Sequence, residues 1–498
     1  MQHVSTLALP RIIQGGMGVS VSNWRLARTV SMLGQLGVVS GTAMDTVLVR
    51  RLQDGDPDGL VRRALATFPV QRWVKPVLEK YFRPEGRAGQ PYLRLPMPSR
   101  LGNTASQIMH VLGGYVEVFL AKEGHPGLVG INLLTKLQLP TLGTLYGAML
   151  AGVDYVLMGA GIPREIPEVL DKLAAGETAS LKIDVTGLTG AEPPRLHFDP
   201  REVMGGVQPL KRPHFLPIIA SNSLATLLAR KVTGTIQGFV IEGPTAGGHN
   251  APPRGAPVFD ERGQPVYGER DRVDLEQIKA LGLPFWLAGG TGSPEALQEA
   301  LAQGAAGIQV GTLFAYSQES GFEAGLKQRI LEQAARGAVK VFTDPKASPT
   351  GFPFKVAEVE GTLSQPELYQ QRRRVCDLGY LREAYQTPEG KIGFRCASEP
   401  IEQYLAKGGE LANTEGRKCL CNALLAAVGM GQLQKNGDLE LPLVTSGDDL
   451  ERIGRFVARF GTQYSARDAV TYLLGTAVAP QPELRPAMVN QNPLGLPQ

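Results

Sequence analysis

The sequence predicts an α/β protein: a (β/α)8 TIM barrel with insertions, followed by a C-terminal, mostly helical domain. Three observations predict it. Eight short β-rich apolar runs recur through the first two-thirds of the 498-residue chain. These runs are continuous rather than alternating, as parallel strands covered on both faces are. Helix-like segments lie between several of them, and strand–helix alternation repeated eight times closes most simply into a barrel. A doubly wound open sheet is the alternative.

In order, the expected strands are 11–16 (RIIQGG), 36–41 (LGVVSG), 127–134 (GLVGINLL), 154–161 (DYVLMGAG), 215–221 (FLPIIAS), 238–243 (GFVIEG), 284–290 (PFWLAGG) and 307–314 (GIQVGTLF). The helices between them include NWRLARTVSMLGQ, TLGTLYGAMLAG, REIPEVLDKLAAG, SLATLLARKVTG and SPEALQEALAQG. In the last, Ser293 before Pro294 reads as an N-cap followed by proline in the first turn. The barrel is expected over residues 1–345. Two connections are too long for simple crossovers: 45–125 reads as a helical insertion and 178–213 as an inserted hairpin. A Pro/Gly-rich connector, TDPKASPTGFPFKV, leads into a mostly helical, Cys-containing domain over 346–480. It includes the segments SQPELYQQRRRVCDLGYLREAYQ and CNALLAAVGMGQLQ, and the Arg372–Arg374 run reads as a solvated helix face. Residues 481–498 form a Pro-rich tail.

Composition excludes several function classes. Hydrophobic residues make up 43% and charged residues 20%, which is ordinary globular usage. A net charge of +4, spread along the chain, argues against nucleic-acid binding. No run approaches ~18 uninterrupted apolar residues and no signal peptide is evident, so a cytoplasmic protein with no membrane partner is expected.

Chemistry-bearing residues cluster at the expected strand C-termini, where barrel enzymes carry their sites. After the first strand, Gln14-Gly15-Gly16-Met17 allows a sharp turn or close approach to a flat ligand. Asn132, ending the third, both donates and accepts, which suits a heterocyclic edge, and Gly159–Gly161 follow the fourth. Gly289 and Gly290 after the seventh strand, with Gly311 and Thr312 after the eighth, present amides and a hydroxyl to a phosphate. His249 follows Gly247-Gly248 after the sixth strand, a setting for acid/base or hydrogen-bonding work that His3, His110, His125, His197 and His214 lack.

Together these stretches resemble the nitronate monooxygenase family, formerly called 2-nitropropane dioxygenases, and its relatives, the FMN-dependent enoyl-acyl-carrier-protein reductases. The matching pieces are IIQGGMG, GINLL, GAGIP, EGPTAGGH, LAGG and GAAGIQVGTLFAYSQES, in the family's order over residues 10–325. The resemblance implies a flavoprotein binding FMN non-covalently. Gln14, Gly15, Gly16 and Met17 would line the ring, Asn132 would meet its polar edge, and Gly289, Gly290, Gly311 and Thr312 would hold the phosphate. His249 would be the catalytic residue. Three positions depart from the family: Thr245 stands for the motif's Glu, Leu313 for its Arg, and Ser221 or Asn222 for a Lys ending the fifth strand.

The four cysteines, Cys376, Cys396, Cys419 and Cys421, are the only ones in the chain. Their confinement suits a tetrathiolate site for an iron–sulfur cluster or zinc. Buried free thiols are the alternative.

The leading expectation is an FMN-dependent oxidoreductase that oxidises a small organic substrate with oxygen as acceptor. An enoyl-thioester reductase of fatty-acid or polyketide type, with NAD(P)H as co-substrate, is the alternative. A partner-dependent flavoprotein whose Cys domain binds another macromolecule is a third reading. The expected partner is a small-molecule substrate, and homo-oligomerisation is compatible with the sequence.

Overall fold

The computed structural model describes residues 9–97, 101–190 and 192–475. The eight expected strands form: β1 (Ile12–Gln14), β2 (Gly37–Ser40), β3 (Val129–Leu134), β4 (Tyr155–Gly159), β5 (His214–Ile219), β6 (Phe239–Glu242), β7 (Phe285–Ala288) and β8 (Gly307–Val310). They pair in parallel in the order β1-β8-β7-β6-β5-β4-β3-β2. The ring closes where Ile13 bridges Leu36 in parallel. There Gln14 N–H donates to the Leu36 carbonyl at 2.9 Å, and Leu36 N–H to that of Ile12 at 3.1 Å. The sheet is a closed TIM barrel, which rules out the doubly wound alternative.

Continuous apolar strands are what this closure needs, because each strand packs on both faces. Ile13, Val38, Leu157, Leu216, Val240 and Trp286 fill the barrel interior, while Ile12, Val39, Val156 and Ile308 belong to the outer core under the helices. Trp286 lies across the N-terminal end and donates from Nε1 to the Pro10 carbonyl at 2.7 Å. Polar caps start the helices as expected. Asn23 Oδ1 accepts from Leu26 N–H at 3.0 Å, and Ser293 Oγ from Ala296 N–H at 3.1 Å.

The insertion between β2 and β3 is helical, with helices Met44–Gln53, Leu60–Ala66, Gln71–Tyr81 and Thr104–Lys122. The second insertion is a hairpin, Ala179–Lys182 running antiparallel to Arg195–Phe198.

Beyond β8 the chain carries helices Pro366–Gln371, Ile401–Ala406, Leu420–Ala427, Gly454–Phe460 and Ala466–Leu474. It also forms two antiparallel strand pairs, Lys340–Asp344 with Phe354–Glu358 and Glu383–Gln386 with Ile392–Arg395. The Pro/Gly-rich connector is therefore the turn of a hairpin rather than a linker. The expected boundary at 345/346 falls inside that turn. Helix Ala466–Leu474 packs against both Trp24–Met32 and Pro294–Ala302, so this helix covers the barrel wall between its first and seventh crossovers. The Pro-rich tail lies outside the described residues.

One segment differs from its helical pattern. Of 364–386 only Pro366–Gln371 is α-helical, and the chain then turns inward. Arg372 is not on a solvated face: it forms two hydrogen bonds to Glu440, at 2.7 and 2.9 Å. Arg374 donates to the carbonyls of Ala397 and Thr414. Interior carboxylate and carbonyl acceptors outcompete helix propensity here.

Candidate active site at the barrel mouth

A cavity of about 1520 Å³, part of it open to solvent, lies over the C-terminal ends of the strands. Gly15, Gly16, Met17, Asn132, His249, Gly289, Gly290, Gly311 and Thr312 all line it. Gln14 does not. Its side chain is fully buried in the wall between β1 and β2, accepting from Val38 N–H at 3.0 Å and donating to Ser22 Oγ at 2.8 Å. Gln14 thus spends its amide on closing the barrel and lies outside the cavity's lining.

The floor is made of backbone. Ser22 Oγ accepts from Met17 N–H at 2.9 Å and donates to the Gly15 carbonyl at 2.9 Å, fixing the first loop. A Cβ at Gly16 would fall 2.2 Å from Asn132 Cβ, so only glycine lets this loop pass over β3. Asn132 Nδ2 donates to the Gly16 carbonyl at 3.1 Å. Its Oδ1, like Gln309 Oε1, is buried with no partner among the described residues. Buried amide oxygens without donors are costly, and both belong to residues on this cavity's wall. They are ready acceptors for a ligand's N–H groups.

On the opposite side, Gly289 and Gly290 turn at φ +92° and +71°, a left-handed conformation that favours glycine. Thr312 begins a short helix, Thr312–Ala315. The C-terminal segment closes this corner. Gly248 N–H donates to Thr445 Oγ1 at 2.9 Å, Asp448 N–H to the Thr245 carbonyl at 3.0 Å, and Gly292 N–H to Asp449 Oδ2 at 3.1 Å. Burial pushes the Asp449 carboxyl above its usual range.

The reactive groups stand at the end of β6. His249 Nε2 lies 2.7 Å from Ser348 Oγ, and the ring packs edge-on against Phe354 at 4.8 Å. Burial, and then the Lys136 ammonium, push the imidazole down to about 4, so it is neutral at ordinary pH. Glu242, the last residue of β6, also lines the cavity. Burial alone pushes its carboxyl up to about 8, and it makes no hydrogen bond or ion pair with the described residues. Glu242 and His249 are shared with a second cavity of about 930 Å³, reached by Arg254 and Tyr267.

Residues 177–347 match the nitronate monooxygenase family model. The resemblance drawn from the motifs therefore holds over the stretch that contains β5 to β8. No curated protein matches the chain. Among solved structures, FabK from Thermotoga maritima is similar at 17% identity over 95% of both chains, with a TM-score of 0.46. A nitroalkane oxidase from Streptomyces ansochromogenes is similar at 14% identity, covering 94% of this chain and 96% of the other, at 0.44. The enoyl reductase domain of MlnA from Bacillus amyloliquefaciens is similar at 12%, covering 93% and 95%, at 0.45.

The positions that depart from the nitronate monooxygenase pattern have structural work here. Thr245 packs on the seventh-strand turn, its Oγ1 3.0 Å from where a Gly289 Cβ would sit. Leu313 is 3% exposed, and its carbonyl accepts from Tyr464 OH at 2.7 Å. An Arg would be buried there beneath the C-terminal segment. Ser221 caps helix Asn222–Arg230 through Leu224 N–H at 3.1 Å, and Asn222 ties to the backbone of Asp274.

Among the described residues no helix is long and apolar enough to cross a membrane. No group of three or more His, Cys, Asp or Glu among them is arranged to hold a metal ion.

Proposed function

We propose that the chain is an FMN-dependent oxidoreductase of the nitronate monooxygenase type, oxidising a small organic anion with oxygen as acceptor. The observation that carries this reading is the pairing of a backbone-lined floor with two uncharged acid/base groups, Glu242 and His249, on the rim of one cavity. The family match over 177–347 supports it.

The residues present fit FMN. Asn132 Oδ1 and Gln309 Oε1 are unpaired acceptors for the ring's N–H edge, and the gap kept open by Gly16 admits a flat group. Gly289, Gly290, Gly311 and Thr312 would take the phosphate. Bound there, FMN supplies two-electron chemistry that couples an organic substrate to oxygen.

The chain's own part is to bind, orient and move protons. Protonated below about 8, Glu242 donates a hydrogen bond to a nitronate oxygen without bringing a second negative charge. Neutral His249, held through Nε2 by Ser348, offers its other ring nitrogen to the substrate as acceptor or base. Met17 and Leu424 on the cavity wall exclude water from the reacting end.

One observation favours a second reading, NAD(P)H-dependent reduction of an enoyl thioester. Such a reaction must deliver a proton to the product, and protonated Glu242 is a buried proton source. Anaerobic mixing of the purified yellow protein with NADH, NADPH or an alkyl nitronate decides. Bleaching with the nitronate alone is the expected result. Rapid bleaching with a nicotinamide establishes the reductase instead, and a preparation that stays colourless after FMN is added overturns both readings.

A further inference from the structure

The corner of the cavity that would take the flavin phosphate is not built by the barrel alone. Residues 445–449 of the C-terminal segment run into it between the turns after β6 and β8. A Cβ at Gly447 would fall 3.1 Å from Thr312 Oγ1, and one at Gly247 would fall 2.7 Å from the Gly447 nitrogen. The stretch is pinned on both sides of Ser446. Thr445 Oγ1 accepts from Gly248 N–H at 2.9 Å, and Asp448 N–H donates to the Thr245 carbonyl at 3.0 Å. Between these anchors, Ser446 and Gly447 line the cavity together with Gly290, Gly311 and Thr312.

The Ser446 side chain has no bond within the protein. The residue is 5% exposed, and its Oγ is buried with no partner among the described residues. The Tyr316 hydroxyl stands beside it, equally buried, and the two do not meet in hydrogen-bonding geometry. A buried hydroxyl left unbonded is costly, and a ligand that completes it removes the cost. The backbone N–H groups of Gly290, Gly311, Thr312, Ser446 and Gly447 also donate to no acceptor among the described residues. No lysine or arginine among those residues lines the cavity.

We propose, on the flavin reading above, that Ser446 Oγ is a ligand of the FMN phosphate, so that the C-terminal segment completes a site the barrel leaves open. A phosphate held without a cation must be met by converging amides and hydroxyls, and the barrel turns and this stretch supply both. Donating to the phosphate makes Ser446 Oγ a better acceptor, and the Tyr316 hydroxyl is the donor at hand. The two carboxylates that follow are committed elsewhere. Asp448 Oδ1 pairs with Lys355 Nζ at 2.7 Å, and Asp449 Oδ2 accepts from Gly292 N–H at 3.1 Å. Ser446 lies outside the family match, which ends at residue 347, so the C-terminal segment adds this ligand to those the motifs supply.

Riboflavin, which has the same ring but no phosphate, separates this corner from the ring site. The full chain is stripped of flavin and titrated with FMN and with riboflavin, each followed by flavin fluorescence. The wild-type chain should bind FMN at least about tenfold more tightly than riboflavin. Ser446→Ala should weaken FMN about tenfold, as loss of one hydrogen bond to a charged group does, and leave riboflavin within about twofold. Equal weakening of both flavins would show a packing role and overturn the proposal, as would unchanged FMN binding. A wild-type chain that binds the two flavins alike overturns it while sparing the flavin reading, and one that binds neither overturns both. Should the variant fail to fold, hydrogen exchange on the wild-type chain decides. FMN should slow exchange in the peptide spanning 445–449 more than riboflavin does, and equal protection overturns the proposal.

Discussion

The barrel and the C-terminal segment line one cavity in different proportions. The barrel contributes its glycines and two amide side chains, Gly15, Gly16, Gly289, Gly290, Asn132 and Gln309, beside aliphatic residues such as Leu133 and Ile218. The segment beyond residue 340 contributes bulk: Phe354, Tyr380, Leu381, Leu420, Cys421 and Leu424. A surface of bare backbone admits a flat, polar group closely, whereas a surface of side chains shapes an apolar one. In the proposed function the glycine-lined barrel floor takes the cofactor and these C-terminal side chains face what reacts with it. His249 and Glu242 stand on the barrel, but the serine that orients His249 comes from the segment.

Removing the imidazole is the sharpest way to break this division. His249→Ala should lower turnover by about 10²–10⁴-fold while FMN stays bound. A colourless variant would show that the histidine serves the cofactor side instead. Glu242→Gln separates hydrogen bonding from proton donation, because the amide donates without releasing a proton. With nitronate oxidation the loss should be at most about tenfold, because the amide keeps the bond and gives up only about 1–1.5 kcal/mol of it. An enoyl reductase would lose about 10²-fold or more.

The pH dependence follows from the same carboxyl. Its folded value lies above the ordinary one, at about 8, so the protonated form is present below that and lost as pH rises through it. Wild-type turnover should fall above pH of about 8 and the Glu242→Gln profile should be flat there. The corresponding stability contribution has the same sign: full below about 4.5, it is lost as pH rises from there to about 8.

Gly16→Ala tests the barrel side alone. The new methyl would overlap Asn132, and overpacking of this kind costs about 1–3 kcal/mol. Weaker FMN retention by about tenfold or more, measured by flavin released on dilution, is expected. An unchanged affinity would mean that the first loop does not face the ring.

The barrel half of this division is legible in sequence and the C-terminal half is not, for a physical reason. A strand buried on both faces is a continuous apolar run such as FVIE, and each run locates itself. The glycines after β7 stand out because their left-handed turns favour glycine. By contrast, Ser348 is 99 residues from His249 and meets it only through the hairpin that brings Phe354 opposite His249. Thr445 is 197 residues from its partner Gly248. Glu242 was open to discovery, since an acid ending an apolar strand at the loop face of a barrel points at the site. Next to the glycine-flanked histidine it reads as an ordinary strand terminus. Gln14 is the converse case: the resemblance places it by the ring, and the structure shows its amide hydrogen-bonded between β1 and β2, outside the cavity's lining.

The smallest expected effect crosses the two regions. Ser348→Ala removes the hydroxyl 2.7 Å from His249 Nε2 and leaves every barrel residue in place. One such bond contributes about 1 kcal/mol, so turnover should fall about fivefold with substrate KM unchanged, and Ser348→Thr should restore it. His249 titrates below its ordinary value, at about 4, so it is neutral above that and charges only as pH falls through it. Losing the serine should therefore leave the profile flat from pH of about 5 to 8. A new acid limb near pH 6 would instead show that Ser348 helps keep the imidazole neutral, and that the C-terminal segment governs protonation as well as orientation.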